Sequence, residues 1–178
     1  MARFIAPSRS DVNSWPICLH LRPMAPLSRT PRDSMTEMTE MVLPQHANAL
    51  GTAFGGTVMS WIDICAAVTA QRHSGRIAVT AAIDELTFLA PIRVGDVVCL
   101  TGRINQAFRS SVEVEVSVAV ENSMTRERRP CADALLTFVN VDDSGKPMPM
   151  PPLSLTTDEA LHRAQQAQKR RDERLARK

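Results

Sequence analysis

Tyrosine is absent and aromatic residues make up only 4% of the 178-residue chain. So few rings exclude an aromatic stacking platform for single-stranded nucleic acid. They also leave the core to Val, Ile, Leu, Met and Ala. No run of eighteen apolar residues occurs, so no helical membrane span is expected. The four cysteines, Cys18, Cys65, Cys99 and Cys131, lie far apart with no C-x-x-C pair. They read as small buried hydrophobes with free thiols, and a reducing, cytoplasmic compartment is expected. H-E-x-x-H, P-loop and Rossmann signatures are missing as well, so neither a metal nor a nucleotide cofactor is expected.

The net charge of +2 conceals an uneven distribution. Residues 35–157 carry −4, whereas residues 1–34 and 158–178 carry +3 each. Positive charge outside the patterned region is weak ground for nucleic-acid binding, and no such partner is expected.

Residues 1–34 hold five prolines among scattered Arg and Ser, with no sustained period. They read as a disordered extension, either upstream of a start at Met35 or a transit peptide whose prolines spoil the amphipathic helix. One domain is expected over 35–153. It opens with a strand at 36–43 and a loop at 44–54. A helix follows from Gly55 to about residue 73, stopped by Gly75. Further strands are expected at 77–89, 97–108, 111–121 and 131–141, with a polar loop over 122–130. In 111–121, Val112, Val114, Val116, Val118 and Val120 alternate with Glu113, Glu115, Ser117, Ala119 and Glu121. Such alternation predicts one buried face and one largely wet face. Residues 154–178 form a charged tail whose helix, poor in apolar anchors, is expected on the surface and frayed toward its end. A helix laid on an antiparallel sheet is an α+β architecture.

The densest signal lies in residues 44–64, PQHANALGTAFGGTVMSWIDI. The helix there carries one carboxylate, Asp63, among Val58, Met59, Trp61, Ile62, Ile64 and Cys65. Burying an unpaired carboxylate in such company is costly, so Asp63 is either a surface residue or a reactive group. Gly55 and Gly56 stand at the helix start, where amides lack helical partners and favour negative charge. Asn48, seven residues earlier, adds a side-chain amide; its plain alternative is an Asx-turn. His46 reads as a loop histidine, and His73 with Ser74 as a C-terminal helix cap where a cation is favoured. Arg126, Arg128 and Arg129 read as a solvated basic loop.

The arrangement Asn48, Gly51, Phe54, Gly55, Gly56, Met59, Asp63 resembles the N-x-x-G-x-x-F-G-G-x-x-M-x-x-x-D motif of the hotdog-fold acyl-CoA thioesterases. RHS at 72–74, FLAPIRVGDVV at 88–98, RSSVEVEV at 109–116 and LTFVNVDDSGKPMPMPPL at 136–153 extend the likeness in unbroken order. The resemblance implies a sheet wrapped around one long central helix, and hydrolysis of acyl-CoA to acid and coenzyme A. It implies that Asp63 is general base or nucleophile, that Gly55 and Gly56 form an oxyanion hole, and that Asn48 orients water or carbonyl. Arg109, Ser110 and Ser111 would meet coenzyme A. It implies a homodimer at least, up to a trimer of dimers, with Asp63 from one subunit and Asn48 and Gly55 from the other. A general base must come within about 3 Å of its water, and eight helical residues separate Gly55 from Asp63 by roughly 12 Å, which agrees with a shared site. Two rivals remain on the same fold: an acyl-CoA-binding sensor, which could dispense with Asp63, and a hydratase or dehydratase, whose chemistry wants a histidine near Asp63.

Overall fold

The computed structural model describes residues 28–177. Five strands form one antiparallel sheet: β1 (Thr36–Met41), β2 (Ala78–Phe88), β3 (Val97–Ala107), β4 (Ser111–Glu121) and β5 (Arg128–Asn140). Their order across the sheet is β1-β3-β4-β5-β2. Helix α1 (Gly55–Ser74) lies between β1 and β2 in sequence, and α2 (Asp158–Ala176) closes the chain. This is the α+β hotdog arrangement, a sheet wrapped around a long central helix. Among the described residues no helix is long and apolar enough to cross a membrane.

Helix α1 buries Val58, Trp61, Ile62, Cys65, Ala66, Thr69 and Ala70. These positions recur at three and four residues and form one apolar stripe. The stripe meets the inward valines of β4, Val112 to Val118, together with Leu100, Ile104, Leu136 and Phe138. The helix comes close to the β3 backbone at Gly102, where a Cβ would overlap Thr69 Oγ1 and stand 3.1 Å from Cys65 Sγ. Only glycine lets the helix sit this low on β3. At its C-terminal end α1 stops at Gly75, which takes the left-handed conformation (φ 69°) and donates its amide to Gln71 O.

Three expectations need correction. The extension expected to be disordered through residue 34 is folded from residue 28 onward. Arg29 bridges Leu153, its backbone bonds Pro152 and Ser154, and a 3-10 turn at Pro31–Ser34 is tied by Asp33 to Thr30. These contacts come from the far end of the chain, which local pattern cannot show; the part of the expectation covering residues 1–27 lies outside the described residues. The polar loop expected over 122–130 gives up Arg128 to Pro130 to β5, because Arg128 pairs with Glu121 across the hairpin by ladder and by ion pair. Nor is the outward face of β4 wet. Glu113 is 1% exposed, because α2 lies across that face with Ala164 and Ala167 buried against it. Arg170 pairs with Glu113 at 2.6 Å, Arg163 with Glu115 at 3.9 Å, and Arg174 with Asp84. The tail is therefore a docked helix held mainly by arginines.

Candidate active site

The loop before α1 and the start of α1 are built to leave donors free. Pro44 begins a short 3-10 turn, and Phe54 enters α1 in extended conformation with no side-chain cap. Thr57 and Val58 bond the carbonyl of Phe54, but among the described residues the amides of Gly55 and Gly56 have no partner. Gly55 lines a cavity of about 360 Å³ together with Thr52, Ala53, Val58, Phe88 and Ile92 among others. Gly55 is walled by the Phe88 ring, 3.7 Å from where a Cβ would stand. Two free amides at the positive end of a twenty-residue helix, the first beside an apolar recess, suit a developing oxyanion.

Asp63 lies two turns further on, half-buried rather than sealed in the core. Its apolar sequence neighbours divide between two faces: Trp61, Ile62 and Cys65 point inward, while Met59 and Ile64 are exposed. The Thr80 hydroxyl on β2 donates to Asp63 Oδ1 at 2.7 Å, and among the described residues Oδ2 has no donor. A carboxylate with one oxygen fixed and the other open is placed to take a proton from water. Nothing in the sequence singled out Thr80, because one threonine in a strand carries no pattern.

The remaining expected residues stand as follows. Asn48 is exposed and occupied by its own loop: Oδ1 accepts the Leu50 amide at 2.9 Å and Nδ2 donates to Thr52 Oγ1 at 2.9 Å. Within one chain it is the Asx-turn of its plain alternative. Arg109 and Ser110 form the β3–β4 turn, with Ser111 opening β4. Their carbonyls accept Met150, Asn140 and Phe108 amides, and no hydrogen bond joins them to Asp63 or the α1 start among the described residues. His46 packs edge-on to Trp61, with centroids 5.2 Å apart, and accepts the Leu43 amide, so it shapes the loop. His73 is not the C-terminal cap favouring a cation that was expected. It is fully buried, Nε2 donating to Pro151 O at 3.0 Å and Nδ1 facing Ser34 Oγ at 3.2 Å, and burial holds it below the ordinary histidine range. Arg126 and Arg128 pair with Glu121, while Arg129 donates to Pro91 O.

The thioesterase superfamily profile matches residues 50–126, which span the α1 start, Asp63 and Thr80. An acyl-CoA thioester hydrolase of Bacillus subtilis is 40% identical over 86% of this chain and 89% of its own. The chain belongs to the hotdog acyl-CoA thioesterase family. A solved hexameric acyl-CoA thioesterase superposes with a TM-score of 0.80 at 40% identity, over 84% of this chain and 96% of its own. The acyl-CoA hydrolase of Staphylococcus aureus, solved with butyryl coenzyme A and coenzyme A, superposes at 0.79 with 34% identity, over 85% and 92%. Alanine variants of that enzyme at an asparagine, an aspartate and a threonine have also been solved. In that enzyme 15 residues separate asparagine from aspartate and 17 separate aspartate from threonine, as they do Asn48, Asp63 and Thr80 here. This thioesterase is thus an enzyme of acyl-CoA hydrolysis.

Proposed function

We propose that this thioesterase hydrolyses acyl-CoA at a site assembled from two copies of the chain. Asp63 of one copy acts on a carbonyl held by the Gly55 and Gly56 amides of the other. As base, Asp63 takes a proton from water and the resulting hydroxide adds to the thioester carbon. The oxyanion rests on the two amides, the C–S bond breaks, and the departing thiolate recovers a proton. Direct attack by Asp63, giving a mixed anhydride that water then opens, uses the same placement. The hydroxyl of Thr80 holds the carboxylate in orientation. Arg109, at the Asp63 end of the sheet with no ion pair among the described residues, takes a coenzyme A phosphate with Ser110 and Ser111 beside it.

One observation carries this reading. The two halves of the chemistry sit at opposite ends of the edge strand β2: Thr80 bonds Asp63, and Phe88, eight residues on, walls Gly55. They are too far apart to serve one carbonyl within one chain. The free edge of β2 and the adjoining face of α1 also leave Met59, Ile64, Val68, Val79, Ile83 and Phe88 exposed. Antiparallel pairing about a twofold axis covers that surface and brings the Thr80 end of one copy beside the Phe88 end of the other. The hexameric relative is in keeping with such assembly.

Removing the base lowers kcat by about 10²–10⁴-fold, so Asp63→Ala should be almost inactive. Asn48→Ala is expected to be nearly so, because its turn sets the loop that delivers Gly55. Mixing the two variants and exchanging subunits should restore about half of the sites in heterodimers, where one site receives both intact halves. Asp63→Ala keeping more than about half of kcat would refute the role of the carboxylate. Absence of recovery after verified exchange would place the site within one chain.

A further inference from the structure

Strand β2 carries both halves of the proposed site, yet it is the least regular strand of the sheet. Its pairing with β5 slips twice, between Thr80 and Ala82 and between Ile83 and Glu85. Ala81 and Asp84 are therefore extra residues without a partner across the ladder. Bulges bend a strand and interrupt its hydrogen bonds, so the grip of β5 on β2 is weakened at both slips. Asp84 lies midway between Thr80 and Phe88, at the point where the strand most needs an anchor.

That anchor comes from the convex side. The Asp84 carboxylate, 12% exposed, accepts the Thr137 hydroxyl of β5 at 3.0 Å and the guanidinium of Arg174 in the last turns of α2. Arg174 is the arginine of α2 that grips β2. Arg170 and Arg163 grip β4, through Glu113 and Glu115. A chain of direct contacts thus runs from Arg174 to Asp84, along the bulged strand to Thr80, and on to Asp63.

We infer that Arg174 is a positioning residue for the thioesterase reaction: through Asp84 it fixes the bulged edge strand that aims Thr80 at Asp63 and Phe88 at Gly55. The inference rests on the site proposed above. Displacing a reacting group by about 1 Å costs up to 10²-fold in rate, and a loosened β2 moves Thr80 by a fraction of that. In the full-length enzyme, Arg174→Ala and Asp84→Ala should each lower kcat per folded site by about tenfold while KM changes less than about twofold. Because the two residues act as a unit, the double variant should be no worse than either single one. Arg174→Lys keeps the cation and should recover most of the rate. Arg170→Ala breaks the neighbouring grip of the same helix on β4, so it should lower stability while leaving kcat per folded site unchanged.

Equal losses of kcat in Arg170→Ala and Arg174→Ala would overturn the inference, since they would report only that α2 had come off. So would kcat within about twofold of wild type in both Arg174→Ala and Asp84→Ala. Should Arg174→Ala fail to fold, Asp84→Ala and Arg174→Lys decide by the same criteria. Asp63→Ala, assayed alongside, separates the two readings. If it is active, the site itself is misassigned; if it is dead while the Arg174 and Asp84 variants are unaffected, only the positioning role falls.

Discussion

The two faces of the sheet are covered by two helices on opposite principles. On the concave face α1 meets valines and leucines, and Gly102 lets it sit against the β3 backbone. Burial of this kind is non-directional and almost indifferent to salt. On the convex face α2 brings arginines to a row of acids, with Glu113 inaccessible beneath Arg170, Arg171 over the Phe108 ring, and Ala164 and Ala167 buried in the contact. Attachment there rests on charge pairs whose desolvation cost nearly offsets their attraction, so it is directional and dispensable by degrees. The chemistry follows the same division. The groups of the proposed site ride on the helix fixed by shape, while the helix fixed by charge reaches β2 through the Arg174–Asp84 pair.

The sharpest way to break the concave side is Gly102→Ala. Its Cβ would overlap Thr69 Oγ1 and stand 3.3 Å from the carbonyl oxygen of Cys65, and both groups belong to α1. Relief requires the helix to move, because Thr69 is already bonded to Cys65 O at 2.8 Å. Overpacking of this kind costs about 3 kcal/mol, read as a fall in urea midpoint that is unchanged between low and high salt. A midpoint within error of wild type would mean that the helix is not held so low.

The convex side should break differently. Arg170→Ala leaves Glu113 buried with, among the described residues, only the Asn105 amide, 3.2 Å away, as donor. Orphaning a buried charge costs 3–5 kcal/mol when the partner is itself buried; Arg170 is partly exposed, so about 2 kcal/mol is expected. Adding Glu113→Gln should return most of that loss, because a neutral amide needs no counter-charge. No rescue in the double variant would show that packing, and not charge, attaches α2.

How much of this was legible in the sequence follows the same line. Elements set by local period stood out: the valine alternation of β4, and α1 between the Gly55–Gly56 start and the Gly75 stop. The asparagine, glycines and aspartate of the proposed site stood out because their spacing forms a motif. The docking of α2 was not, since its anchors are two alanines and ion pairs to residues about fifty or more positions away. Thr80 stayed hidden for the same reason, its meaning lying in a side chain seventeen residues back on another element. Gly102 passed unmarked, although a glycine inside a strand is an ordinary sign of close backbone approach. His73 misled most, since its partners Ser34 and Pro151 lie far away along the chain, and together they convert an apparent cationic cap into a buried neutral ring.

That ring makes the shape-held side respond to acid at one point, with the smallest effect of the three. Burial, the leading cause, lowers the pKa of His73; the Pro151 carbonyl and Asp33 oppose it and Arg29 adds to it. In the unfolded chain the imidazole takes a proton at its ordinary value of about 6.5. Folded, it stays neutral to lower pH, so between the two values the unfolded state binds more protons. Its contribution to stability is therefore complete above about pH 6.5 and is lost as pH falls toward the depressed folded value. The carboxylates held low, Asp33, Glu121 and Asp142, lose their share only at more acid pH. Wild-type Tm should thus begin to fall just below pH 6.5, and His73→Gln, less stable at neutral pH, should show a flatter slope there. Thermal melts at constant ionic strength make the comparison. Parallel slopes in the two proteins would mean that the ring already carries its proton in the folded state, and the tie between Ser34 and Pro151 would then have to be reassigned.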